Sequence, residues 1–226
     1  GSSSSGSGDG WPAGLYGVVN CAGVAWAPGK KRPNGEFYLS VELDCDTEEV
    51  PIIDINLNGT IRVVNAVAQH IVASKGVIVN IASLAGRFGS PGMTFPAYVA
   101  SKHAVNGITK CWRYELEKYG VRVYAMEPWF IQTPMVTEGF KDDGKVDLSK
   151  TKFPRSFDES KLAKQRQKVQ STMMDPTAVS SEVVRVLLTS KQQAGHIIVA
   201  PPIIKVVLTI VSTLPHKWQD KLRTVL

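Results

Sequence analysis

Tyr98 and Lys102 occupy positions i and i+4 of the stretch Tyr-Val-Ala-Ser-Lys. On a helix this spacing stacks both side chains on one face. A free phenol titrates near pH 10, roughly three units too weak an acid for proton traffic at neutral pH, and a neighbouring ammonium favours the phenolate and lowers that value. Ser83 closes the apolar run before them, in Val-Asn-Ile-Ala-Ser-Leu-Ala-Gly, and its hydroxyl is able to bond the same substrate oxygen as the phenol. A phenol, an ammonium and a hydroxyl grouped in this way suit proton exchange with a substrate oxygen. Tyr-x-x-x-Lys alone is a common accident of composition; the elements around it give it meaning.

Residues 15–20 form a short apolar run that ends in the turn Asn20-Cys-Ala-Gly23, the pattern of a buried parallel strand. Residues 24–45 are rich in Gly, Pro and Lys and read as an irregular connection. Asp46 or Thr47 caps a long helix running to about residue 74, with Glu48 and Glu49 in its first turn and Pro51 tolerated there. Ile52, Ile53, Ile55, Leu57, Ile61, Val63, Val64 and Val67 give that helix a broad apolar face. Asn56 and Asn58 interrupt it. An intrahelical Asn is intrinsically unfavourable, so one of the two is expected to have a function.

A second strand is expected at 76–82 and a Gly/Pro-rich loop at 83–96. A helix from 97 to about 119 then carries the Tyr/Lys pair and ends at Gly120, a good C-cap. The third strand, 121–126, is expected to be broken by Glu127-Pro128. A long loop or lid follows at about 129–157, then helices at about 158–172 and 176–190, the second opened by Asp175-Pro176. A fourth strand at 196–200 precedes a Pro-bounded apolar helix at about 203–226 with a basic end. Strands alternating with helices make this an α/β fold with a parallel sheet, one domain over 14–226. Such sheets bind ligands beyond the carboxyl ends of their strands, where Asn20 and Ser83 fall.

With 43% hydrophobic and 20% charged residues, the 226-residue chain has the balance of a globular protein with a substantial core. Its net charge of +6 is not gathered into basic runs interleaved with aromatics, so no nucleic-acid partner is expected. Most of the excess lies between Lys141 and Lys168 among acidic residues, as on a solvated loop or helix face. Cys21, Cys45 and Cys111 match neither a zinc pattern nor a disulfide framework, and are expected to be reduced and mostly buried. His70, His103, His196 and His216 are scattered and are assigned no chemistry and no metal. There is no secretory pattern and no apolar run long enough to span a bilayer. Residues 1–13 begin Gly/Ser-rich and read as a flexible tail or linker.

Asn20-Cys-Ala-Gly23 after a strand, Asn56 inside an apolar helix, Ser83 at a strand end, Tyr98 with Lys102, and Pro128-Trp-Phe-Ile-Gln-Thr133 after the next strand come in a telling order. Together they resemble the short-chain dehydrogenase/reductase family over about residues 14–200. The stretch Cys-Trp-Arg-Tyr-Glu-Leu-Glu-Lys-Tyr-Gly-Val-Arg-Val (111–123), with Glu127-Pro128, is similar to the branch holding retinol dehydrogenases, 17-beta-hydroxysteroid dehydrogenases and 3-hydroxybutyrate dehydrogenase.

The resemblance implies a Rossmann-like sheet, NAD or NADP as cofactor, and interconversion of a hydroxyl and a carbonyl on a lipophilic small molecule. It implies that Tyr98 is the acid/base, that Ser83 holds the substrate oxygen, and that Lys102 tunes the phenol and binds the nicotinamide ribose. Asn56 would fix a water linking Lys102 to solvent. Asn20, Ala22 and Gly23 would lie along the cofactor, with Pro128, Ile131 and Thr133 toward the nicotinamide. The branch further implies an intracellular protein, either cytoplasmic or bound to the endoplasmic reticulum or a mitochondrial membrane. The helix at 203–226 is the candidate membrane contact, and homo-oligomerisation is expected. Two plainer readings stay open: Asn20 as a turn stabiliser and Asn58 rather than Asn56 as the polar residue that matters.

The chain departs from the family pattern in three places. The stretch from Ser83 to Tyr98 is a residue or two longer, and Trp129 stands where Gly is common, which crowds or reshapes the approach to the nicotinamide. The third departure is the glycine-rich phosphate turn with its strand and helix, which the 226 residues do not supply. The expectation is therefore a sheet without its N-terminal strands, a strand at 15–20 left as an apolar edge, and doubtful activity for the chain as it stands. A truncated, non-catalytic interaction module is the alternative.

Overall fold

The computed structural model describes residues 14–26, 45–88, 96–137, 164, 167–189 and 195–214. The tail at 1–13, most of the 24–45 connection, the lid beyond residue 137, the opening of the helix expected at 158–172 and the basic end after 214 lie outside the described residues.

Four strands form one parallel sheet in sequential order: β1 (Gly17–Asn20), β2 (Val77–Ile81), β3 (Arg122–Pro128) and β4 (His196–Val199). The β-branched residues of β2 alternate between the two faces of the sheet, as the period of a strand requires. Ile78 packs with Val64 and Ile71 of the helix α2 (Gly59–Ala73) and with Trp112 and Leu116 of α4 (Pro96–Glu117). Val77 and Val79 join Tyr124, Met126, Val186 and Val199 on the other face, under α6 (Thr177–Leu188). Both faces are thus covered, which is why β2 and β3 are mainly apolar, with Asn80, Arg122 and Glu127 as exceptions. Among the described residues, α1 (Val50–Ile53), α3 (Ala85–Phe88), α5 (Pro134–Thr137) and α7 (Pro202–Ser212) are also helical, as are residues 167–171.

The expected long helix is present but its winding is not uniform. Wide π-turns at Cys45–Glu49 and Asp54–Asn58 flank α1, and the backbone stays right-handed helical through into α2. The buried side follows Ile52, Asn56, Thr60, Val64 and Ile71, whereas Val63, counted from the sequence on the apolar face, is exposed. A π-turn inserts an extra residue and shifts the phase of the face, so a simple count of apolar positions loses it. At the far end of α4, Gly120 has φ +77° and its N–H bonds the Glu117 carbonyl at 2.9 Å, as expected of the cap.

Three expectations need correction. β3 does not stop before Glu127-Pro128 but includes both, pairing them with Ile198 and Val199. Proline is tolerated there because it is the last residue of the strand. Cys21, Cys45 and Cys111 are all free but exposed, not buried. The residues after Ser83 are not all loop, since α3 forms one helical turn there. Among the described residues no helix is long and apolar enough to cross a membrane.

Candidate active site

α4 brings Tyr98 and Lys102 under the carboxyl ends of β1 and β2. Its inward face is unusually polar: Ser101, Lys102, Asn106 and Thr109 are buried with Ala97 and Val105. The Lys102 ammonium lies 5.8 Å from the centre of the Tyr98 ring and donates to the Ile81 carbonyl at 2.9 Å. Burial lowers it to about 8, while neighbouring Cys21 acts in the opposite direction. An ammonium has three donors. One is spent on Ile81, leaving buried N–H groups for the hydroxyls of a ligand over the strand ends.

Ser83 and Tyr98 meet through their side chains. Burial pushes the Tyr98 phenol up, and its hydrogen bond with Ser83 works against that. The lowering expected from Lys102 is not what sets this phenol; the offset comes from Ser83. The Ser83 oxygen also accepts the Ala85 N–H at 3.1 Å, which holds its side chain beside the phenol. Hydroxyl and phenol therefore share one small space, where an incoming carbonyl or alcohol oxygen would take a hydrogen bond from each.

Asn56 is buried, with its side-chain amide fully engaged. Its oxygen accepts the Val24 N–H at 2.8 Å, and its nitrogen donates to the Val24 carbonyl and to Ser101 Oγ, each at 2.9 Å. The amide thus pairs with the backbone just after the Asn20–Gly23 turn as a neighbouring strand would. Asn58 makes only a local bond to Asp54 at 3.0 Å. Of the two asparagines Asn56 is the structural centre, and the wide turn at Asp54–Asn58 aims it inward. A Cβ on Gly23 would come within 3.3 Å of both Asn56 Oδ1 and Lys102 Nζ, so this glycine lets the turn approach the pair closely.

Asn20 reaches sideways rather than into solvent. It donates to Asn80 at 2.8 Å, and Asn80 donates to Thr109 of α4 at 2.9 Å. Sequence reasoning passed over Asn80, Ser101, Asn106 and Thr109. A lone amide inside Val-Ile-Val-Asn-Ile, a strand buried on both faces, was the signal that could have found the first.

Ala22 and Gly23 lie in the turn, Pro128 is the last residue of β3, and Ile131 and Thr133 sit beyond it, where Ile131 bridges Met174. Trp129 has its own packing partners. Its indole donates to Thr172 at 3.1 Å, and its ring packs on a cluster of Leu84, Phe88, Ala200 and Leu208. It ties the end of β3 to α7.

The family model for short chain dehydrogenases matches residues 11–144. The chain belongs to the short-chain dehydrogenase family. Human (3R)-3-hydroxyacyl-CoA dehydrogenase is 39% identical over 120 residues, 52% of this chain and 41% of that protein. Estradiol 17-beta-dehydrogenase 8 of Callithrix jacchus is 42% identical over 86 residues, 37% of this chain and 63% of its own length. Among solved structures, a 3-oxoacyl-(acyl-carrier protein) reductase with bound NAD from Brucella melitensis matches with a TM-score of 0.58 at 27% identity, over 81% of this chain and 60% of that one. The chain therefore spans less than two thirds of the length of each of these short-chain dehydrogenases.

Proposed function

We propose that this chain forms the catalytic part of an NAD(P)-dependent oxidoreductase that interconverts a hydroxyl and a carbonyl on a lipophilic small molecule, of hydroxyacyl, steroid or retinoid type. The observation that carries this is the meeting of Ser83 and Tyr98, with Lys102 on the same helix, at the carboxyl ends of parallel strands. A bound nicotinamide would supply or accept the hydride. In the reducing direction Tyr98 gives its proton to the substrate oxygen while Ser83 holds that oxygen by a hydrogen bond; in the oxidising direction Tyr98 takes the proton back. Lys102, with donors beyond the one given to Ile81, binds the ribose hydroxyls. The turn at Asn20, Ala22 and Gly23 lies along the dinucleotide, with Pro128, Ile131 and Thr133 toward its nicotinamide end. The names of the human and marmoset relatives support an acyl or steroid substrate.

Calorimetric titration with NADH and NADPH, followed by turnover with a 3-ketoacyl thioester, a ketosteroid and a retinoid, tests the reading. Tyr98→Phe should keep dinucleotide affinity and lose about 10²- to 10⁴-fold in kcat. A Phe variant with most of the original kcat would sink it. The second reading, a non-catalytic interaction module, is favoured by the outer edge of β1, which pairs with no described strand and leaves Tyr16 and Val19 exposed. It expects no heat with either dinucleotide.

A contact with membrane surfaces remains part of the proposal. Ile203, Val206 and Ile210 are exposed on successive turns of α7. Equal flotation with liposomes, with and without residues 202–226, would count against it.

A further inference from the structure

Glu127 is a fully buried carboxylate whose partners come from two other elements. Arg87 of α3 grips it with two N–H groups, at 2.6 Å and 3.0 Å, and His196 of β4 reaches it through Nδ1 at 2.8 Å. Because an ionised carboxylate only accepts, His196 Nδ1 carries its proton toward Glu127. A buried ion pair adds little to stability over an apolar replacement, so what it fixes in place is the more informative question.

Arg87 belongs to the single turn that begins two residues after Ser83. A four-residue helix does not hold itself. Leu84 N–H bonds the Pro128 carbonyl at 3.1 Å, and Asn106 donates to the Gly86 carbonyl at 3.0 Å. Gly86 rests so close to the Lys102 backbone that a Cβ there would come within 2.5 Å of it, so the turn is pressed on the helix that carries Tyr98. The Arg87 fork is the one charged, bidentate tie among these contacts, and such ties fix orientation most strictly.

We propose that Glu127 is a positioning residue for Ser83, acting through Arg87 to lock the 84–88 turn to the end of β3 while His196 fixes the carboxylate from β4. The proposal rests on the reading that Ser83 and Tyr98 act together on the substrate oxygen.

Its test is the titration of Tyr98, followed by the ¹³Cζ resonance of labelled tyrosine and assigned with Tyr98→Phe, which needs neither cofactor nor turnover. Ser83→Ala should shift the Tyr98 titration upward, because the opposing hydrogen bond is lost. Glu127→Gln should shift it in the same direction, and Arg87→Lys, which keeps the charge but not the fork, should shift it less. The double variant Ser83→Ala/Glu127→Gln should titrate where Ser83→Ala does, since Glu127 has nothing left to act through.

A folded Glu127→Gln protein with Tyr98 unmoved, or a double variant whose shifts simply add, overturns the proposal. Should Glu127→Gln fail to fold, Arg87→Lys decides alone; its side chain is one-third exposed, and an unmoved Tyr98 in it overturns the proposal equally. If Ser83→Ala itself leaves Tyr98 unmoved, the underlying reading of the site falls as well.

Discussion

On the β1 side of the site the polar contacts run between neutral amides; on the β4 side they run through full charges. Asn20, Asn80 and Thr109 make one chain of neutral bonds, and Asn56 clamps Val24 with another. Across β2, Glu127 draws in Arg87 and His196. Each network holds a loop at the end of a strand: the first the turn after β1, the second the turn after Ser83. They teach that the same mechanical task, fixing an irregular segment over a sheet end, has a pH-independent and a pH-dependent solution within one site. Lys102 stands between them.

The largest effect should come from the neutral side. Asn56→Ala removes three buried or half-buried hydrogen bonds and leaves the Val24 N–H and carbonyl without their partner, while Ser101 keeps its bond to the Tyr98 carbonyl. The expected loss is about 3–4 kcal/mol, a large share of the whole for a domain of this size. It should be the same at every pH between about 6 and 9, because no member of the network titrates there. Urea unfolding at several pH values measures it. A loss below about 1 kcal/mol would show that the turn is held by something else.

The charged side should behave differently. Burial alone would raise the Glu127 carboxyl, but hydrogen bonds from His196 and Arg87 and the charge of Arg87 outweigh it and hold the group below the usual value of 4.5. A folded value beneath the unfolded one means stability that is fully present above about 4.5 and is lost as pH falls through the folded value. Glu127→Gln should therefore cost about 2–3 kcal/mol at pH 7, discounted for the partial exposure of Arg87. The gap between the two proteins should close as pH falls below the usual carboxylate value and through the lower folded one. A gap that stays constant into acid would mean that the carboxylate is not charged in the folded protein.

Much of the frame of these two networks was legible in the sequence, and the contacts themselves were not. Apolar runs bounded by turn residues located the four described strands, and Tyr98, Lys102 and Ser83 were singled out by type and spacing, Asn56 over Asn58 by the family resemblance. The partners of the Asn56 side chain, Val24 and Ser101, lie 32 and 45 residues away and have no local signature. Glu127-Pro128 read as a strand break because glutamate and proline both disfavour strands. Only partners 40 residues before and 69 residues after make that glutamate admissible inside β3, and no local pattern announces them. His196 was set aside for the same reason. The exposed cysteines show the converse: apolar residue type raises the odds of burial, while helix phase and turn geometry decide it.

Lys102 sharpens the contrast, because burial works against its charge where partners favour that of Glu127. Its ammonium is lowered from 10.5 to about 8. The folded protein then binds fewer protons than the unfolded chain between these values, so stability rises with pH across that window, and the full penalty is present below about 8. The shift corresponds to on the order of 3 kcal/mol, and leaving the Ile81 carbonyl without its donor takes back about 1 kcal/mol. Lys102→Met should thus stabilise the protein by about 2 kcal/mol at pH 7, with the gain fading toward pH 10, while dinucleotide affinity and turnover both fall. A destabilised Met variant at pH 7 would refute this account.

The smallest effect tests whether polar groups outside both networks matter. Tyr124 sits on β3 two residues from Met126, fully buried among Val77, Val79, Val186 and Val199, and its hydroxyl has no hydrogen-bond partner among the described residues. An orphaned hydroxyl in an apolar layer has lost its water without compensation, at a cost of about 1 kcal/mol or more. Phenylalanine keeps the ring, its contacts and the packing volume while removing the unpaired oxygen. Tyr124→Phe should therefore leave stability unchanged or raise it by up to about 1 kcal/mol, with no change in the Tyr98 titration, since neither network passes through this layer. A loss of more than about 1 kcal/mol on thermal or urea unfolding would mean that the hydroxyl is bonded. The division into two networks at the strand ends and an apolar layer beneath them would then have to be redrawn.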